Sequence, residues 1–98
     1  MTAYIIFEVE VHDAAVYAKN QDLIQPTLEP YGGRFLVRGG AVEALEGTWN
    51  PRRLVVIEFP SVERAKAWWK SDEYRGPKRI RQQTTTTQMI VVEGLSGT

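Results

Sequence analysis

The sequence contains no cysteine and a single histidine, His12. Disulfides, thiolate metal sites and cysteine nucleophiles are therefore excluded, and no pair of imidazoles exists for a histidine-based metal centre. Net charge is lacking as well. Twelve basic residues balance twelve acidic ones, so no global field draws the chain to nucleic acid or to a membrane surface. Long apolar runs are also missing: the opening Met1-Thr2-Ala3-Tyr4-Ile5-Ile6-Phe7 has no basic flank and stops at Glu8. That is too short for a signal peptide or a membrane span, and the expectation is a cytoplasmic protein. Gly32-Gly33 and Gly39-Gly40 lack the G-x-G-x-x-G or G-K-[ST] spacing of a phosphate loop, and read instead as a helix cap and a bulge.

What is present suffices for a core. Of 98 residues, 43% are hydrophobic, which fits one domain spanning residues 1–98 and argues against disorder. A monomer of this size buries only about 60–65% of its unfolded surface, so association with a second copy is a ready source of stability.

Along the chain, residues 3–11 alternate, with Ile5, Phe7, Val9 and Val11 on one side and Tyr4, Ile6, Glu8 and Glu10 on the other, the pattern of a strand. Asp13 is an N-cap for a helix with apolar positions Val16, Leu23, Ile24 and Leu28. Pro26, lacking an amide donor, is expected to break it, and Pro30 with Gly32-Gly33 to end it. Residues 34–38 form a second strand, Gly39-Gly40 a bend, and residues 42–45 a resumption of that strand. A turn over 47–51 leads to a third strand over 53–59. Ser61 caps a helix carrying Val62, Ala65, Trp68 and Trp69. A further helical piece follows through Tyr74 and Ile80, with the Gly76-Pro77 pair as the point where it is expected to break. Thr84 to Thr87 read as a loop and strand entry, residues 88–93 as the last strand, and 95–98 as a short tail.

This βαββαβ order predicts an α+β fold: a ferredoxin-like sandwich, a four-stranded antiparallel sheet with its helices on one face. By alternation the helix-facing set is Ile5, Phe7, Val9, Phe35, Val37, Val55, Ile57 and Phe59. The opposite set is Tyr4, Ile6, Glu8, Leu36, Arg38, Leu54, Val56, Glu58, Met89 and Val91. The second set is too apolar to stay wet and too charged for an ordinary core. Pairing two such faces buries the apolar part and encloses the charges, so the expected partner is the chain itself, as a homodimer.

The stretch Tyr31-Gly32-Gly33-Arg34-Phe35-Leu36-Val37-Arg38-Gly39-Gly40 resembles the signature of the domain-of-unknown-function family 1330. Glu46-Gly47, Trp49, Val56-Ile57-Glu58-Phe59-Pro60-Ser61, Ala67-Trp68, Ser71, Tyr74 and Val91-Val92-Glu93-Gly94 agree with it. The resemblance implies the dimeric α/β-barrel type of ferredoxin-like fold, with two sheets face to face. It implies no activity, since the family has no established common one. Arg81 corresponds to an arginine of the family, whereas the polar, broken segment around it departs from the family pattern.

Candidate site residues lie on the open face. Reading the first and third strands as parallel neighbours sets Glu8 beside Glu58. Two close carboxylates in a partly dry cavity do not both ionise readily, so one of them becomes a candidate general acid or base. Arg38, on the next strand, is positioned to hold a carboxylate or an anionic ligand through its planar fork. Arg34, Trp49 at the cavity rim, Tyr74 and Arg81 complete the candidate ligand-binding set. Trp68 and Trp69 are adjacent on a helix, so at most one faces the core squarely. His12 reads as an exposed turn residue. No metal site and no cofactor is expected, Glu8, Glu10 and Glu58 being a weak pattern. Two functions fit. One is a small anionic or aromatic metabolite bound between the sheets, with carboxylate acid–base chemistry. The other is a non-catalytic dimeric structural or interaction module that binds or stabilises a partner, its buried Glu and Arg residues only fixing register.

Overall fold

A computed structural model describes residues 1–95; the tail expected over 95–98 lies, beyond Leu95, outside the described residues. Strand β1 (Ala3–Val11) leads into helix α1 (Ala14–Leu28) and a 3-10 turn (Glu29–Tyr31). Strands β2 (Arg34–Arg38) and β3 (Leu54–Phe59) follow, then helices α2 (Val62–Trp69) and α3 (Asp72–Thr84) and strand β4 (Thr85–Glu93). The four strands form one sheet in the order β2-β3-β1-β4, antiparallel throughout. This is the ferredoxin-like α+β arrangement that the element order predicts.

Each helix starts where a short polar side chain satisfies a free amide. The Val16 amide donates to Asp13 Oδ1 at 3.1 Å, the Arg64 amide to Ser61 Oγ at 3.1 Å, and the Tyr74 amide to Ser71 Oγ at 3.2 Å. At the end of the 3-10 turn Gly32 adopts φ +72°, a left-handed conformation in which a side chain is strained.

Several local expectations are corrected. Helix α1 passes through Pro26 and α3 through Pro77 without a break. One proline removes one helical hydrogen bond, while buried Ile24, Thr27 and Leu28 hold the last turn of α1 on the core, and Tyr74 and Arg81 hold α3 on either side of Pro77. The buried stripe of α1 is Tyr17, Asn20, Ile24, Thr27 and Leu28, and Val16 and Leu23 are exposed. Residues 42–45 form no strand. Thr84 closes α3, and Thr85 already belongs to β4, whose pairing with β1 starts at Thr85 opposite Val11.

The core lies between the helices and one face of the sheet. Ile5, Phe7, Val9, Val55, Ile57 and Phe59 from the strands meet Tyr17, Ile24, Leu28, Ala65, Trp68 and Tyr74 from the helices. Trp68 sits at its centre: its ring stacks on Tyr74 with centroids 3.9 Å apart and tilts against Phe59 at 5.5 Å. Its indole N–H donates to Thr27 Oγ1 at 2.9 Å, so the one polar atom of the ring is satisfied inside the core. Trp69, one residue on, is 38% exposed, as adjacency on a helix requires.

Candidate functional site

Strand register decides which side chains share the open face. Ile6 lies opposite Val56 on one side and Ile90 on the other, and Val56 lies opposite Val37. An apolar row Val37–Val56–Ile6–Ile90 therefore crosses all four strands. A second row, Arg34–Glu58–Tyr4–Val92, lies toward one end of the sheet, and a third, Leu54–Glu8–Gln88, toward the other. Successive rows are separated by two residues because alternate side chains point to opposite faces.

The same register corrects five assignments, the Glu8–Glu58 pairing and the faces of Val37, Arg38, Met89 and Val91. β1 and β3 are antiparallel, so Glu8 faces Leu54 and Glu58 faces Tyr4. The two carboxylates are four residues apart along the strands, about 13 Å, with the apolar row between them. Parallel pairing is ruled out by the chain path, because β3 returns antiparallel to β2. In β2 the register shifts between Phe35 and Val37. This bulge spends one extra residue, so Val37 turns to the open face and Arg38 to the helix face. There the Arg38 guanidinium lies over the Phe35 ring, 5.1 Å from its centroid. Met89 and Val91 lie opposite Phe7 and Ile5, which places them on the helix face and gives Ile90 and Val92 to the open one.

The open face holds two polar pairs. Arg34 Nε donates to Glu58 Oε1 at 2.9 Å across β2 and β3. Trp49, in the long connection between those strands and 66% exposed, donates its indole N–H to Glu8 Oε2 at 2.9 Å. The carboxylates thus do not pair with each other, and each has its own donor. Arg34, not Arg38, is the cation at Glu58. His12 is exposed at the end of β1, its Nε2 2.8 Å from the Thr86 hydroxyl.

Tyr74 and Arg81 belong to neither pair. Both are buried on the helix side, where Arg81 Nε donates to the Tyr74 hydroxyl at 3.0 Å. Burial pushes the Tyr74 phenol above its ordinary value of 10.0, and the Arg81 guanidinium only partly counters this. A pKa raised on folding gives stability that is complete below the unfolded value and is lost as pH rises through the folded one. Unfolding free energy is accordingly expected to fall above about pH 10, and less steeply in Tyr74→Phe. Urea titrations of both proteins across that range check this; equal slopes would remove Tyr74 as the cause.

A four-stranded antiparallel sheet, helices on one face and a half-apolar, charge-edged second face define a ferredoxin-like α+β protein. The structural neighbours agree. A protein of unknown function from Rhodopseudomonas palustris matches with a TM-score of 0.77 at 19% identity, over 97% of this chain and 83% of that one. A dimeric protein of unknown function and ferredoxin-like fold from Bacteroides fragilis gives 0.64 at 15% identity, over 95% and 96%. SnoaB, a cofactor-independent oxygenase from Streptomyces nogalater, gives 0.67 at 8% identity, over 97% and 94%. Comparison with curated proteins returns no match. The chain belongs to the family described as Domain of unknown function (DUF1330), whose model matches residues 2–95.

Proposed function

We propose that the protein is a homodimer whose two open sheet faces pack together and enclose a site for a small anionic or aromatic metabolite. The observation that carries this reading is the apolar row Val37–Val56–Ile6–Ile90, bordered on its two sides by Arg34·Glu58 and Glu8·Trp49. A face of this kind is covered by a like face, and its polar ends become the walls of the enclosed space. The dimeric neighbour from Bacteroides fragilis lends support by analogy of fold.

In this reading Trp49 and Glu8 form one polar end. The Glu8 carboxylate keeps an oxygen not used by the indole, and any proton transfer in the cavity falls to Glu8 alone, because Glu58 is held by Arg34. Arg34, with its side chain 70% exposed in the single chain, supplies the charge for an anionic group. Balanced charge and the lack of a helix long and apolar enough to cross a membrane, among the described residues, fit a cytoplasmic dimer without nucleic-acid or membrane partners.

Native mass spectrometry of protein purified from its own cells tests the reading. The expected spectrum shows two chains with a retained small molecule, and Glu8→Gln keeps the dimer but loses that mass. A monomer overturns the dimer, and a bare wild-type dimer overturns the ligand site. A second reading, a dimer whose ion pair only fixes register, is favoured by the Arg34–Glu58 bond. It gains if Glu58→Gln weakens the dimer while no ligand is retained.

A further inference from the structure

Arg81 is 4% exposed as a whole residue, and its one side-chain partner among the described residues is the neutral Tyr74 hydroxyl. No carboxylate among those residues forms an ion pair with it; the two ion pairs present are Arg34–Glu58 and Arg75–Asp72. A largely buried cation without an anionic partner is an unusual arrangement, since burial penalises charge unless it is paired. The terminal nitrogens of an arginine form a planar fork matched to a carboxylate.

The surroundings specify the rest of the ligand. Arg81 lines a crevice of about 400 Å³ with Thr85, Thr87, Trp69 and Met89. Trp69 and Met89 also line an adjoining crevice of about 270 Å³, whose other walls include Ile5, Ala65 and Val91. Two residues are common to both, so the cationic and apolar spaces adjoin at Trp69 and Met89. The indole of Trp69 is steadied at this junction by Lys78, whose Nζ donates to the Trp69 carbonyl at 2.8 Å and lies 3.9 Å from the ring centroid.

The geometry points to a second ligand site, on the helix side of the β4 edge, for a small apolar carboxylate. Its acid group pairs with Arg81 beside the threonine hydroxyls, and its aryl or alkyl body lies along Trp69 and Met89 in the apolar crevice. The site is built within one chain on the helix side and meets the proposed dimer surface at the β4 edge, where Ile90 also lines the apolar crevice. Its anchor, Arg81, lies on α3 away from that surface, so failure of acid binding leaves that reading untouched.

Phenylacetate and octanoate are suitable probes, with 2-phenylethanol as the neutral counterpart. The Trp69 indole N–H signal in nitrogen–proton correlation spectra is assigned by its loss in Trp69→Phe. Both acids are expected to move this signal in the full-length protein at about 10 mM, above the roughly millimolar affinity of fragments this small. The alcohol should need at least about tenfold more than phenylacetate, the usual difference for losing a hydrogen bond to a charged group. Arg81→Met should erase the difference between acid and alcohol. The site is overturned if neither acid moves the signal, or if phenylacetate and phenylethanol act alike on the wild type. It is equally overturned if the advantage of the acid survives in Arg81→Met. Should that variant fail to fold, the wild-type comparison alone decides.

Discussion

Trp68→Ala is expected to lose about 3–5 kcal/mol of unfolding free energy, a large part of the roughly 5–15 kcal/mol available to a domain of this size. The indole is fully buried and fills the space between Phe59 on the sheet and Tyr74 on α3. Truncation leaves a cavity that three separate elements would have to close, and it removes the donor from Thr27 Oγ1, whose hydroxyl then keeps only its bond to the Ile24 carbonyl. Trp68→Phe keeps one ring in the core while it loses the hydrogen bond and part of the packing. Its cost should fall between the roughly 1–2 kcal/mol of the bond alone and the cost of Trp68→Ala. Trp69→Ala is the matching control, since that side chain is partly exposed and should cost less than half as much as Trp68→Ala. Urea denaturation followed by circular dichroism gives all three values. Equal losses at 68 and 69 would mean that the core is not centred where the structure puts it.

Much of this core was legible in the sequence because β1 and β3 alternate cleanly. In Tyr4-Ile5-Ile6-Phe7-Glu8 and Val55-Val56-Ile57-Glu58-Phe59 the glutamates settle the parity of each strand, and the structure keeps both assignments. The caps at Asp13 and Ser61 were legible for a related reason, since a local side chain completes a local backbone deficit. Parity in the edge strands was not. Met89-Ile90-Val91-Val92 carries no alternation, and only its pairing with β1 places Ile90 and Val92 on the open face. In β2 a one-residue bulge reverses everything after Leu36, which exchanges the faces of Val37 and Arg38. The bend signal at Gly39-Gly40 stood a few residues beyond the irregularity itself.

The candidate site was legible in part. The residues Glu8, Glu58, Arg34 and Trp49 are all on or over the open face, yet their partners differ from those expected. The Trp49–Glu8 contact spans 41 residues and arises in a connection with no periodicity to read. The separation of Glu8 from Glu58 follows from strand direction, which the hairpin between β2 and β3 determines and composition does not. Arg81 illustrates the converse: its family resemblance was visible, but its burial without a carboxylate emerged only from the packing of α3 on β4.

Ile90→Asp is expected to convert the proposed dimer to a monomer while leaving the fold intact. Ile90 is 60% exposed in the single chain, so a carboxylate there should change unfolding free energy by no more than about 0.5 kcal/mol. In a face-to-face dimer the same carboxylate sits at the end of the apolar row formed with Ile6, Val56 and Val37. A two-fold axis buries it twice. Each buried, unpaired carboxylate costs about 3–5 kcal/mol, and even the lower value taken twice weakens association by at least about 10⁴-fold. Multi-angle light scattering at micromolar concentration should therefore find two chains for the wild type and one for Ile90→Asp, with superimposable circular dichroism spectra. Val16→Asp supplies the comparison, because Val16 is 40% exposed on α1, outside the open sheet face, and should remain dimeric. A dimer that survives Ile90→Asp but dissolves with Val16→Asp would move the interface to the helix side. The open sheet face would then lack its cover, and the polar pairs at Glu8 and Glu58 would stand in solvent instead of a cavity.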